Sequence, residues 1–228
     1  MKHSGKARKS AFKLIFWTLV LLMALMAAGI IASALGALVA FVTTGLISLW
    51  VLFAIFTLYF FRDPNPNKPS IANAIVSPAH GKIDVIDETT ENEVLGGPCK
   101  RLSIFLSVID VHVQKAPVSG KVTYLKHKPG KFLSATSSHC VDCNENVLIG
   151  LDSTEYPGQR VSLRLVAGLI ARRIITWVET GDTVPRSERI SLIQYGSRCD
   201  LYLPLNVKIH AKLGDKVKGG ETIVASFE

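Results

Sequence analysis

Gly196 and Ser197 sit together in the run Leu192-Ile-Gln-Tyr-Gly-Ser-Arg-Cys-Asp200, between a strand-like apolar stretch and what reads as a polar turn. A serine hydroxyl in such a place can attack the carbonyl of the residue before it. The peptide bond is exchanged for an ester, the ester eliminates to leave a dehydroalanine, and hydrolysis of that residue leaves a pyruvoyl group on the new N-terminus. The reaction needs a hydroxyl, a preceding residue without a side chain, a strained peptide and a nearby base. Glycine supplies the second and admits the uncommon backbone geometry of the third. A Gly-Ser dipeptide by itself is most often an ordinary turn, so this reading depends on its surroundings.

Four cysteines, Cys99, Cys140, Cys143 and Cys199, are the next residues with chemistry of their own. In a reducing compartment they are thiols. Cys140-x-x-Cys143, preceded by His139, has the spacing of half a tetrahedral zinc site. The chain holds no second pair at suitable spacing, so a complete site would have to recruit Cys99, Cys199 or a distant histidine, and a polar loop that happens to hold two cysteines is the favoured reading, with no metal expected. Cys199 lies two residues after Ser197 with no dedicated base beside it, and is read as a packed thiol.

The chain that must position these residues has 228 residues and a formal net charge of +8, enough for one modest domain with accessories. Lys2, Lys6, Arg8, Lys9 and Lys13 precede Leu14, and from there to Phe61 no Asp, Glu, Lys or Arg occurs. One membrane crossing needs roughly 20 apolar residues. The uncharged stretch is long enough for two, with dips in hydrophobicity at 33–36 and 43–45, and helices over 11–34 and 37–60 fit best. A signal peptide is the competing reading, but its apolar region would run only about 7–15 residues. The positive-inside bias keeps the basic N-terminus in the cytoplasm and the second crossing returns the chain there. The rest of the protein is therefore expected on the cytoplasmic side of the cell membrane. Its weak positive excess forms no basic stripe interleaved with aromatics, which argues against nucleic acid; basic residues near the bilayer suit anionic lipid head groups instead.

The organisation that follows is an anchor over 1–61, a linker over 62–76 that starts rich in Pro and Asn, and a domain over 77–228. Short apolar runs rich in β-formers occur at 82–86, 102–106, 122–125, 161–166, 174–178, 190–195 and 207–211, and no helical periodicity of useful length appears. Two internal echoes stand out. Ser77-Pro-Ala-His-Gly-Lys-Ile83 resembles Ala116-Pro-Val-Ser-Gly-Lys-Val122, and Thr180-Gly-Asp-Thr-Val184 with Glu188 resembles Leu213-Gly-Asp-Lys-Val217 with Glu221. Each glycine is expected to make a turn across which a strand pair folds. The Gly-Asp-x-Val pattern is like the hairpin of lipoyl and biotinyl domains, without their modifiable lysine in an exposed turn. The expected fold is mainly β, a compact sandwich or barrel-like domain with lipoyl-like hairpins, preceded by a two-helix transmembrane anchor.

Six segments resemble the phosphatidylserine decarboxylase proenzymes, particularly the short membrane-anchored bacterial type. They are Phe60-Phe-Arg-Asp-Pro64, Ser77-Pro-Ala-His-Gly-Lys82, Phe105-Leu-Ser-Val-Ile-Asp-Val-His-Val-Gln-Lys-Ala-Pro-Val-Ser-Gly120, His127-Lys-Pro-Gly-Lys-Phe132, Ala167-Gly-Leu-Ile-Ala-Arg-Arg-Ile174 and Tyr195-Gly-Ser-Arg-Cys-Asp200. They occur in family order across nearly all of the soluble region. The resemblance implies self-cleavage between Gly196 and Ser197, giving a large chain 1–196 and a small chain 197–228 that begins with a pyruvoyl group derived from Ser197. The amine of phosphatidylserine, held in membrane lipid, would condense with that ketone. The ketone would take up the electrons released as the carboxylate leaves, yielding carbon dioxide and phosphatidylethanolamine. A homo-oligomer is left open.

The resemblance also assigns roles. His112 matches the family histidine of the Asp-Val-His segment and is the candidate for acid/base work, since imidazole titrates near neutral pH; without that context it reads as a packed histidine at a strand end. Asp110 beside it reads as orienting a turn. The family usually has Asp where this chain has His80, and associates that Asp with self-cleavage through a carboxylate-histidine-serine arrangement. His80 cannot copy a carboxylate, though it could act as a base on Ser197. Longer family forms have a second histidine where Lys115 stands, and short forms commonly carry a basic residue there. Arg172 and Arg173 could bind the lipid phosphate or carboxylate through forked guanidinium contacts, or simply face water and lipid. Lys131 and His127 are weaker candidates for the same mouth. The alternative function is an unprocessed, non-catalytic relative that binds lipid or a protein partner.

Overall fold

The computed structural model describes residues 5–31, 36–130, 143–168, 173–194 and 197–228, which fall into two units, 5–63 and 64–228. In the first, α1 (Lys6–Ile31) and α2 (Ala37–Phe60) are long and apolar enough to cross a membrane, with mean hydropathies of 2.2 and 2.4 over an 18-residue window of each. At 1.5 Å per residue they run about 39 and 36 Å, against a hydrocarbon core of about 30 Å. Large apolar side chains such as Phe12, Trp17, Leu21, Phe41 and Leu52 are exposed, as a lipid-facing surface requires. Two hydroxyls are satisfied within the helices: Thr18 Oγ1 donates to Leu14 O at 3.0 Å and Thr57 Oγ1 to Phe53 O at 2.8 Å. α1 begins at Lys6 rather than at 11, because lysine, arginine and alanine are good helix formers that carry the helix beyond the apolar stretch.

The strands of the second unit are, in chain order, β1 (Ala74–Val76), β2 (Gly81–Glu91), β3 (Gly97–Leu106), β4 (Val113–Lys115), β5 (Gly120–Lys128), β6 (Asn146–Ser153) and β7 (Arg160–Ala167). They continue with β8 (Arg173–Thr176), β9 (Thr183–Val184), β10 (Arg189–Gln194), β11 (Ser197–Leu203), β12 (Val207–Ile209), β13 (Lys216–Val217) and β14 (Ile223–Phe227). An eight-stranded sheet, β13-β2-β3-β11-β7-β6-β5-β9, curls into a half-barrel, and β1-β14-β12 and β4-β10-β8 form two small sheets. All pairings are antiparallel. Β1 takes the last three residues expected in the linker.

The two sequence echoes explain this order. Gly81 and Lys82 pair with Val217 and Lys216, and Gly120 and Lys121 pair with Val184 and Thr183, in the same register. Ile83 N–H donates to Asp215 O at 2.9 Å as Val122 N–H does to Asp182 O at 2.8 Å. Both β2 and β5 carry a bulge, between Ile83 and Val85 and between Val122 and Tyr124, and bulges are the devices that bend strands into closed sheets. The domain is two copies of one strand pattern. The second copy, β4 to β10, is inserted between β3 and β11 of the first, and the large sheet reads symmetrically about the β11–β7 pair.

Gly81 and Gly120 do not make the turns expected of them. A Cβ would lie 2.2 Å from Phe105 O at Gly81 and 2.6 Å from Asp152 O at Gly120, so both let a strand start hard against its neighbour. The turns belong to Gly214 and Gly181, at φ 91° and 104°. Strand alternation then sends Leu102, Ile104, Leu106, Leu163, Leu165 and Leu201 into one apolar core.

Candidate active site

Ser197 opens β11 at the centre of the large sheet, opposite Leu106 of β3 and Ala167 of β7. Alternation places it on the face of Cys199, Leu201 and Leu203, all core residues. Its hydroxyl is fully buried and has no hydrogen-bond partner among the described residues. Burying an unpaired hydroxyl costs about 1–3 kcal/mol, and such an orphan in a native fold calls for a functional explanation. The polar turn expected after the dipeptide is instead a strand with all its residues buried. Arg198 and Asp200 occupy its other face, and their charges interrupt the apolar run that would have signalled a strand. Gly196 lies outside the described residues.

His112 lies between β3 and β4 and is fully buried. Its carbonyl accepts Ile193 N–H at 3.1 Å and Gln114 Nε2–H at 2.8 Å, tying it to β10 just before the Gly-Ser bond. The Nδ1 to Asp110 O distance is 2.9 Å. A carbonyl only accepts, so Nδ1 carries the proton and Nε2 holds the lone pair of the neutral ring. The Asp110 carboxylate accepts Ser107 N–H at 2.8 Å and Ser107 Oγ–H at 2.7 Å, closing the turn that leads into His112. Asp110 therefore orients a turn, as its position suggested.

His80 has the opposite tautomer. Its Nδ1 accepts Gly219 N–H at 3.1 Å, which leaves the proton of the neutral ring on Nε2. It precedes the start of β2, where Lys82 faces Phe105, while Ser197 faces Leu106 on the other side of β3. Two strand spacings, about 10 Å, separate the lines of the two strands. Arg173 is exposed and opens β8 opposite Gln194, three residues before Ser197. Arg172 and Lys131 lie outside the described residues. His127 is half-exposed and pairs with Glu145 at 3.1 Å, and Lys115 is fully buried.

Three features escaped the sequence reading. Asn144, buried beside the site, donates through Nδ2 to Ala167 O at 2.7 Å and so steadies the residue opposite Ser197. Arg198 Nη2 meets Asp84 Oδ1 at 2.8 Å and Arg198 Nε meets Asp200 Oδ1 at 3.1 Å, a half-buried charge pair and a buried one directly after Ser197. Burial pushes the Asp84 carboxyl up, against the downward pull of Arg198. The signal was present in the alternation of Arg198, Asp200 and Tyr202 against Ser197, Cys199 and Leu201, which marks a strand with a polar outer face. Burial, and next the charge of Asp200, drive the Cys199 thiol well above its ordinary pKa, in keeping with packing. Cys143 is exposed and Cys140 lies outside the described residues. A cavity of about 630 Å³, lined in part by Asp152, Arg160 and Leu205, lies past the far end of β11 and does not touch Ser197.

Residues 53–225 match the family model described as phosphatidylserine decarboxylase. Similar proteins named phosphatidylserine decarboxylase proenzyme include one from Desulfotalea psychrophila, 45% identical over 78% of this chain and 83% of its own length. Another, from Symbiobacterium thermophilum, is 40% identical over 83% of this chain and 90% of its own. A third, from Carboxydothermus hydrogenoformans, is 39% identical over 93% and 94%. With matches of this extent laid over a half-barrel whose central strand begins at a buried serine with no partner among the described residues, the chain belongs to the phosphatidylserine decarboxylase family.

Proposed function

We propose that the chain cuts itself between Gly196 and Ser197 and then converts phosphatidylserine to phosphatidylethanolamine at the membrane surface. The observation that carries this is the buried Ser197 hydroxyl, without a partner among the described residues, at the family's Gly-Ser position. In the cut, Ser197 Oγ bonds to the Gly196 carbonyl carbon as the C–N bond breaks and the nitrogen takes a proton. Loss of the Ser197 Cα proton expels the Gly196 carboxylate, and water then releases ammonia to leave the pyruvoyl group. The apolar lining contributed by Leu106, Ala167 and Cys199 keeps bulk water from diverting the ester to simple hydrolysis.

The residues present fit the group. Pairing of β11 with β3 and β7 would hold it, with Asn144 bracing Ala167. Its carbonyl supplies the electron sink that loss of a carboxylate from an amino acid head group needs. His112, with Nδ1–H given to Asp110 O, presents Nε2 as the nitrogen able to take a proton from Ser197 and later to return one to the substrate carbon. Arg173, with Arg172 and Lys131, provides cationic donors for the head-group phosphate or carboxylate. His80 completes the candidate set, with its Nδ1 lone pair directed to Gly219.

The two helices over 1–61 anchor the domain 77–228 on the cytoplasmic side of the cell membrane through the linker 62–76, which suits a substrate that never leaves the bilayer. After the cut, chains 1–196 and 197–228 stay together because β11 is hydrogen-bonded on both edges. The test is release of labelled carbon dioxide from carboxyl-labelled phosphatidylserine in mixed micelles. Activity in the wild type and none in Ser197→Ala is expected. Equal, background release from both would leave the non-catalytic lipid-binding relative.

A further inference from the structure

Arg198 is the second residue of β11 and lies on its outer face, directly opposite Phe105 of β3. Its side chain is only 8% exposed and reaches past β3 to Asp84 at the bulge of β2, while its Nε meets Asp200 two residues along its own strand. Asp200 is fully buried, and its second oxygen, Oδ2, has no partner among the described residues. Both contacts are charge-assisted, and such pairs are geometrically demanding as well as strong. Arg198 thus fixes the backbone one bond from Ser197 from two directions.

On the proposed self-cleavage, Asp84 and Arg198 come to belong to different chains, and their ion pair becomes a cross-chain bond one residue from the new end. A newly made N-terminus has lost the peptide bond that placed it, and chain ends fray unless tied down. We infer that the Asp84–Arg198–Asp200 clamp is the positioning device of this site. It aligns Ser197 Oγ for attack in the uncut chain and holds the first residue of the small chain in register for catalysis afterwards. Arg198 and Asp84 act through Ser197 and touch no reacting atom. This rests on the reading of Gly196-Ser197 as a processing site.

The test uses the full-length chain in mixed micelles, comparing wild type with Arg198→Met, Arg198→Lys and Asp84→Asn. Four quantities are read: the rate at which the uncut chain disappears by intact mass, kcat per mole of small chain, KM, and Tm. A misplacement of about 1 Å costs about a hundredfold in rate, and that is the expected loss of cleavage rate in Arg198→Met, with Arg198→Lys recovering part of it. Arg198→Met also leaves Asp200 buried without its counter-charge and can unfold the chain. Asp84→Asn avoids this because it leaves the Arg198–Asp200 pair in place. It is expected to cut about tenfold more slowly and to lower kcat per cut molecule with KM unchanged, at a Tm close to that of the wild type. If the wild type cuts and both Asp84→Asn and Arg198→Lys match it in cleavage and kcat, the clamp is overturned alone. A wild type that never cuts overturns the processing reading and the clamp with it.

Discussion

The two copies of the strand pattern differ where their second and third strands in the large sheet join. In the inserted copy β6 runs straight into β7 through a short turn that satisfies itself: Ser153 N–H donates to Gln159 O at 2.9 Å, Tyr156 N–H to Ser153 Oγ at 3.0 Å, and Gly158 takes φ 84°. In the outer copy the matching strands are β3 and β11. Their hairpin is open, and the whole second copy enters after Leu106 and returns before Ser197. The closed hairpin holds only turn chemistry. The open one holds a buried histidine, a charged turn and a serine hydroxyl with no described partner.

The proposed cut at the open hairpin would leave the fold in place. The bond between Gly196 and Ser197 joins β10 to β11. β10 lies between β4 and β8, and β11 lies between β3 and β7. Each strand flanking the bond is therefore paired on both edges, so cleavage removes a connection and no ladder.

The comparison is broken most sharply by Ser197→Ala, which should abolish cleavage and activity while leaving the sheet intact, read as a single chain by gel and as unchanged β signal by circular dichroism. His112→Ala should follow with a loss of about 10²–10⁴ in decarboxylation by the cut enzyme, the range for a positioned acid or base. Asp110→Ala removes both bonds to Ser107 and should lower stability by about 2 kcal/mol in urea melts, with slower cleavage because the turn before His112 loosens. Gly158→Ala, at the closed hairpin, should cost about 1 kcal/mol for its left-handed backbone and leave the cleavage rate untouched. A cleavage defect there as large as that of Asp110→Ala would erase the distinction between the hairpins. Of the two site histidines, His80→Ala should have the smaller effect on chemistry, since its Nδ1 lone pair is already given to Gly219. Cleavage restored above wild type by His80→Asp would instead show that a family carboxylate is missing here.

Much of this architecture could be read from the chain. The charge gap before Arg62 marked both helices, and the echoes around Gly81, Gly120, Gly181 and Gly214 marked the repeat. Strand pairing within the repeat was hidden because the echoed segments pair with each other across long stretches of sequence: Lys82 with Lys216 and Lys121 with Thr183. β11 was missed because two charges, Arg198 and Asp200, are buried on its outer face through mutual pairing, against the rule that charges mark exposed chain. β6 was missed although Val147 to Leu151 is a plain apolar run, bounded by the polar segment around Cys143. At the candidate site, Ser197 and His112 were singled out through family segments. Asn144 and Asp84 were not, since they only touch neighbours that the fold brings near.

The central claim is that the chain cuts itself at the open hairpin, and the intact mass of the full-length protein purified from membranes tests it most directly. Two chains divided between Gly196 and Ser197, with the small one carrying a pyruvoyl end that resists amine labelling, is the predicted result. A single uncut chain of full mass would contradict it.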